Sequence, residues 1–306
     1  MRKVVVGVAH AWRDDAPLDL AVDEALRRRL PLEVVHAFEV PTYGDATPLL
    51  LPRNGHLREE AELLVRQAVD RLVRRQPAAA TLDLSLQVAE GLPAHVLTAA
   101  AQGAALVVVG RRGGGTVLRA FRGSVSAEVL HGTWAPVMLV PPDTTRVADR
   151  ATGSQVVVGL DGSAASQAAL TWAVAQALEW GSALVPVVVL TATGGIPEAL
   201  RPSAGEARHG LAADVWRRVR EAGGHALEVH PVFRHGHAVA ELVQVADPSD
   251  LLVVGSRGRG AAHTLLLGST STRVAETSVA PVVVVREGQS RRETQRRVLA
   301  MTGGPR

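Results

Sequence analysis

The 306-residue sequence contains no cysteine. That absence excludes disulfide staples, cysteine-ligated zinc, thiol catalysis and thiol redox sensing. It fits a reducing compartment, and a cytoplasmic location is the expectation. Other titrating groups are scarce as well: Lys3 is the only lysine and Tyr43 the only tyrosine. With so little to titrate between neutrality and the arginine range, a sequence pI near 10.3 accompanies a formal charge of only +3. The high pI therefore reflects missing buffering groups and is no nucleic-acid signature. Aromatic residues make up 3% of the chain, too few for a base-stacking platform, so no nucleic-acid partner is expected. No apolar run reaches the roughly 18 residues that cross a bilayer, so no membrane association is expected. Met1-Arg2-Lys3 and the Val-rich run after it read as a first strand and not as a signal peptide.

Several enzyme motifs are missing too. With one lysine there is no G-x4-G-K-(S/T), hence no P-loop NTPase. No G-x-G-x-x-G follows a first strand, and no G-x-S-x-G elbow marks a hydrolase. Nothing resembles a base poised to activate water against a γ-phosphate, so ATP hydrolysis, if any, is expected to be slow.

What is there is a globular composition, 47% hydrophobic and 21% charged, over a length suited to two domains. The chain contains itself twice. Val4-Val5-Val6-Gly7-Val8 returns as Val156-Val157-Val158-Gly159-Leu160, an offset of 152. Leu106-Val107-Val108-Val109-Gly110 returns as Leu251-Leu252-Val253-Val254-Gly255, an offset of 145. Ala135–Val140 likewise matches Ala280–Val285. The seven-residue difference is expected in the Pro- and Gly-rich segments around Thr42–Leu57 and Thr191–Gly210, which read as loop. The expected organisation is a first domain at 1–142, a linker at 143–154, a second domain at 155–287 and a basic mobile tail at 288–306.

Within copy one, buried parallel strands are predicted at Lys3–Ala9, Leu32–Phe38, Leu82–Ala89, Leu106–Gly110 and Val137–Val140. Helices lie between them, the clearest at His56–Gln76, where Leu57, Ala61, Leu64, Ala68 and Leu72 recur at helical steps. The fold class predicted is α/β: two tandem doubly wound domains, each a five-stranded, mostly parallel sheet flanked by helices. Ligands in such sheets sit beyond the carboxyl ends of the strands, near the switch point.

After its fourth strand, copy one reads Gly110-Arg-Arg-Gly113, nine residues, then Gly123-Ser124. Copy two reads Gly255-Ser-Arg-Gly258, nine residues, then Gly268-Ser269. Glycines let the backbone approach a ligand, and the serine is placed to begin a helix, Ser124–His131 or Ser269–Thr277, as an N-cap. A helix N-terminus beside glycine amides suits a phosphate. The same glycines could equally serve only a tight crossover from strand to helix.

This G-x2-G-x9-G-(S/T) signature resembles that of the universal stress protein family. Val157-Val158-Gly159-Leu160-Asp161-Gly162-Ser163, followed by an Ala-rich helix with Trp172-Ala173, is similar to the family's opening strand and helix. The resemblance covers both halves and implies a tandem member, dimeric assembly and, as in many members, ATP binding, with or without Mg2+. For copy two it implies an acidic residue at the nucleoside (Asp161), an apolar residue on the base (Val189), and a phosphate loop of Gly255, Gly258, Gly268, Ser269 and Thr270. Copy one keeps Gly110, Gly113, Gly123 and Ser124 but has Ala9 for the acid, Ala37 on strand two and Arg111 in the loop. The implied function is a stress-response regulator that binds ATP chiefly in its second domain, with an unidentified regulatory protein partner. The alternative is a nucleotide-independent adaptor or scaffold. The apolar last strands would be bare sheet edges. By family precedent they are expected to pair as an intrachain pseudo-dimer, with a homodimer formed through another face.

Other residues invite weaker readings. His230, His235 and His237 cluster without a carboxylate at ligand spacing and read as a solvated loop. Arg257, Arg259 and His263 could assist an anion or form a solvated basic face. Asp14 and Asp15 could replace the missing carboxylate of copy one, but they read better as the start of the helix near Pro17.

Overall fold

The computed structural model describes residues 2–9, 15–40, 54–111, 125–142, 144, 153–190, 204–258 and 267–288. The chain divides into two compact units, Met1–Asp149 and Arg150–Arg306. The first unit contains β1 (Val4–Val8), α1 (Ala16–Arg28), β2 (Leu32–Phe38), α2 (Asn54–Arg75), β3 (Leu84–Glu90), α3 (Pro93–Ala100), β4 (Leu106–Gly110), α4 (Val125–Gly132) and β5 (Val137–Val140). The second repeats the order as β6 (Val156–Leu160), α5 (Ala164–Trp180), β7 (Leu184–Leu190), α6 (Ala204–Glu221), β8 (Val232–His235), α7 (Ala238–Val245), β9 (Leu251–Gly255), α8 (Ser269–Thr277) and β10 (Val282–Val285).

Each unit is a parallel sheet, ordered β3-β2-β1-β4-β5 in the first and β8-β7-β6-β9-β10 in the second. The chain winds outward from β1 to one edge and then from β4 to the other, so the switch point lies between β1 and β4. In the second unit it lies between β6 and β9. The central strands are apolar on both faces, and Val4–Val6, Val156–Val158 and Leu251–Val253 are fully buried, as helices on both sides of a parallel sheet require. Gly7 and Gly159 answer to packing. A Cβ there would come within 2.9 Å of Leu97 Cδ1 and 3.0 Å of Leu242 Cδ2, respectively. The helix after the third strand lies that close to the first strand in both copies.

Three sequence expectations need correction here. Asn54–Leu57 and Ala204–Gly210 are helical and not loop. Once Ala61, Val65, Ala68 and Leu72, or Val215 and Val219, are buried, each added residue gains a backbone hydrogen bond, and Gly55 or Gly205 costs only about 1 kcal/mol. Strand β3 starts at Leu84, because Pro77–Thr81 forms a short 3-10 turn that takes up the Leu82 N–H through the Ala79 carbonyl. Helix α4 begins at Val125 and ends at Gly132. In register, Val35 faces Gln87 and Val187 faces Val232. The offset between copies is thus 152 at the second strand and 145 at the third, so the length difference falls between those strands.

Candidate functional site beyond the strand ends of the second unit

Asp161 directly follows β6 and is exposed. Its Oδ1 accepts the Ser163 N–H at 2.9 Å, which closes a turn leading straight into α5. Ser163 is the N-cap of α5: its Oγ accepts the Ser166 N–H at 3.1 Å. The same hydroxyl donates to the Arg257 carbonyl oxygen at 3.2 Å. The turn after β6 is therefore tied to the loop after β9.

The glycines of that loop have different jobs. Gly255 ends β9 against the first turn of α5, where a Cβ would lie 2.6 Å from the Ala165 carbonyl carbon and 2.7 Å from the Ser166 nitrogen. Packing against α5 is what requires glycine here. Gly258 passes the carboxylate: a Cβ there would sit 2.7 Å from Asp161 Oδ2. Gly268 meets only ordinary contacts, with its Cβ position 3.5 Å from Arg257 Cα and 3.6 Å from the Gly258 nitrogen. Its N–H donates to the Ser256 carbonyl at 2.7 Å, and Ser271 Oγ donates to the same carbonyl at 3.0 Å.

Gly268, and not Ser269, is the N-cap of α8; its backbone is extended and its carbonyl accepts the Thr272 N–H at 3.1 Å. Ser269 and Thr270 form the exposed first turn, whose N–H groups have no carbonyl four residues earlier in the helix. Val189 lies on β7, half-buried, one step beyond the Leu160–Val188 register pair that precedes Asp161.

Two guanidinium groups lie near the loop. Arg286 follows β10 and is buried. Burial lowers its guanidinium pKa, and the charge of Arg257 lowers it further. Arg257 itself stands 3.9 Å from Glu287. A guanidinium whose charge is disfavoured by a positive neighbour gains from an anion beside it.

Among its described residues the first unit matches the second only in part. Ala9 follows β1 and Ala37 lies on β2 opposite Ala89, so no carboxylate ends the first strand. Gly110 ends β4, and a Cβ there would meet Pro17 Cγ at 3.1 Å. Arg111 donates its N–H to the Val140 carbonyl at 2.7 Å, and burial lowers its guanidinium pKa. Gly113, Gly123, Ser124 and Asp14 lie outside the described residues. Asp15 flanks the start of α1, and its carboxylate pairs with Arg75 on α2 at 2.6 Å. It braces two helices and does not take the place of Asp161.

His235 belongs to β8 and His237 flanks α7, so that segment is not simply loop. His230 pairs with Glu228 at 3.0 Å. Among the described residues no three His, Cys, Asp or Glu side chains could hold a metal ion together. Arg259, His263 and the basic tail lie outside the described residues. Sequence reading passed over Ser163, Ser256 and Ser271 as site-building residues. The S-x-x-S spacing of Ser163 and Ser166 signals a cap, but nothing local announces the bond to Arg257.

Two doubly wound parallel α/β units in tandem define the class, and the second of them assembles an acidic turn and a glycine loop at its switch point. The chain belongs to the universal stress protein family, whose model matches residues 1–141 and again 154–286. A universal stress protein of Mycolicibacterium smegmatis is 31% identical over 288 residues, covering 92% of this chain and 96% of that protein. One from Mycobacterium tuberculosis is 29% identical over 294 residues, covering 93% and 97%. The solved structure of a universal stress protein from Archaeoglobus fulgidus matches with a TM-score of 0.65 at 21% identity, over 94% of this chain and 97% of that one. A functionally unknown protein of Pseudomonas aeruginosa matches with a TM-score of 0.60 at 14% identity, over 98% of each. Both structural likenesses bear on the fold alone. No helix of the described residues is long and apolar enough to cross a membrane.

Proposed function

We propose that the second unit binds an adenine nucleotide, ATP, and that the chain is a cytoplasmic stress-response regulator read out through nucleotide occupancy. In this reading Asp161 takes the ribose hydroxyls, Val189 packs on the base, and the phosphates lie over Gly258, Gly268, Ser269 and Thr270. The observation that carries it is the approach of the Asp161 carboxylate to Gly258, where a Cβ would sit 2.7 Å from Oδ2 and push the carboxylate aside. A sugar held by the carboxylate would place its phosphates on the loop backbone. The Arg286 guanidinium, disfavoured by its Arg257 neighbour, would gain from a nearby anion, and the first turn of α8 adds N–H donors. Mg2+ would arrive on the phosphates, for it prefers water and phosphate oxygens to an all-protein cage. The first unit, with Ala9 and Arg111, would keep anion affinity without adenine selectivity.

Isothermal titration and thermal shift with ATP test this. Asp161→Ala removes a carboxylate hydrogen bond worth roughly 1.5–3 kcal/mol, about ten- to a hundredfold in affinity. Gly268→Val should abolish tight binding, and Gly123→Val should leave it nearly intact. Equal losses from the two glycine changes would sink the asymmetry between units. No heat and no stabilisation at millimolar ATP would leave the nucleotide-independent scaffold as the reading.

A further inference from the structure

We propose that Ser163 is a positioning residue that sets the phosphate grip of the second unit, separately from the nucleoside contact made by Asp161. The inference rests on the nucleotide reading above and adds a residue to it. A serine hydroxyl has one proton and two lone pairs. Here the proton goes to the Arg257 carbonyl at 3.2 Å, and a lone pair takes the Ser166 N–H at 3.1 Å. The main-chain N–H of Ser163 is spent separately, on Asp161 Oδ1 at 2.9 Å.

The consequence follows from peptide geometry. In a planar trans peptide the carbonyl of one residue and the N–H of the next point in opposite directions. Holding the Arg257 oxygen toward the start of α5 therefore turns the Gly258 N–H the other way. The Gly258 nitrogen lies 3.6 Å from the Cβ position of Gly268, the N-cap of α8. A peptide followed by glycine is easily flipped, because glycine accepts either sign of φ. A flipped Arg257–Gly258 peptide would present a carbonyl oxygen to the phosphates instead of a donor. Ser163 blocks that flip, with the α5 backbone as its anchor. At the matching position, 152 residues earlier, the first copy has Ala11, which carries no hydroxyl, just as it has Ala9 for Asp161. The first copy therefore lacks both the carboxylate and the hydroxyl that would tie the loop.

The test compares ATP with adenosine by isothermal titration on the full chain. Ser163→Gly leaves a neutral, competent N-cap and the main-chain bond to Asp161, but removes the tie to Arg257. ATP affinity should fall about tenfold, the worth of one such bond, while adenosine affinity stays within about twofold. Ser163→Thr, which keeps the hydroxyl, should restore ATP binding. Asp161→Ala should weaken both ligands. If the glycine variant does not fold, Ser163→Ala replaces it with the same expectation. An unchanged ATP affinity, an equal fall for ATP and adenosine, or no rescue by threonine overturns the role of Ser163 and leaves the nucleotide site standing. Absence of ATP binding by the unsubstituted protein overturns both.

Discussion

At the scale of single residues, glycines that look alike in the motif separate by what surrounds them. Gly255 lies under backbone atoms of Ala165 and Ser166, all within 2.8 Å of a would-be Cβ, and backbone cannot swing aside as a side-chain tip can. Gly255→Ala should therefore destabilise the second unit by about 1–3 kcal/mol, measured by denaturant unfolding. Gly268→Ala meets only contacts of 3.5 Å or more at an ordinary negative φ. Its stability should stay within about 0.5 kcal/mol of the unsubstituted chain, while ATP binding weakens. A stability loss at Gly268 as large as at Gly255 would show that the two glycines share one packing role. The spacing of the motif could not distinguish them, since both are the same letter in the same repeated pattern.

At the scale of elements, the two copies solve the same local problem with different side chains. Helices α1 and α5 both end on a left-handed residue, Arg29 at φ 52 and Gly181 at φ 65. The closing hydrogen bonds match as well: Leu30 N–H to the Ala25 carbonyl at 3.0 Å, and Ser182 N–H to the Ala177 carbonyl at 3.0 Å. Glycine suits that conformation and arginine does not. Arg29 is exposed, so Arg29→Gly should stabilise the first unit by about 1 kcal/mol, the left-handed cost it removes less the extra entropy glycine loses on folding. A lower denaturation midpoint would mean that the arginine side chain contributes more than its backbone costs. The cap at the other end of α5 was half legible: Ser163 before an Ala-rich stretch reads as a helix start, and the helix does start there. Ser269 does begin α8 as read, but the capping role falls one residue earlier, because Gly268 takes the capping conformation with no side chain at all.

At the scale of the whole molecule, each unit ends its own sheet on a short, strongly apolar strand, β5 with Val137–Val140 or β10 with Val282–Val285. Within a unit such a strand has a partner on one side only, and a bare apolar edge invites another strand. The proposal is that strand pairing covers these edges. Val284→Pro removes a backbone donor from β10, and both melting temperature and elution volume should change. If neither moves, edge pairing is wrong for this chain.

Much of the fold was decided locally. Buried Val-rich runs, helical steps of three and four, and a repeat visible at two offsets were enough to place the strand cores and the doubly wound order, because burial on both faces and helix periodicity are properties of short windows. The candidate phosphate loop followed from glycine spacing for the same reason, whereas Asp161 and Val189 came in through the family resemblance. Tertiary structure alone decided what each position touches. Gly255 serves α5, Gly258 makes room for Asp161, and the Ser163 hydroxyl reaches the Arg257 carbonyl 94 residues away. Those contacts form only where the crossover geometry brings the ends of β6 and β9 side by side, and no short stretch of sequence carries that distance.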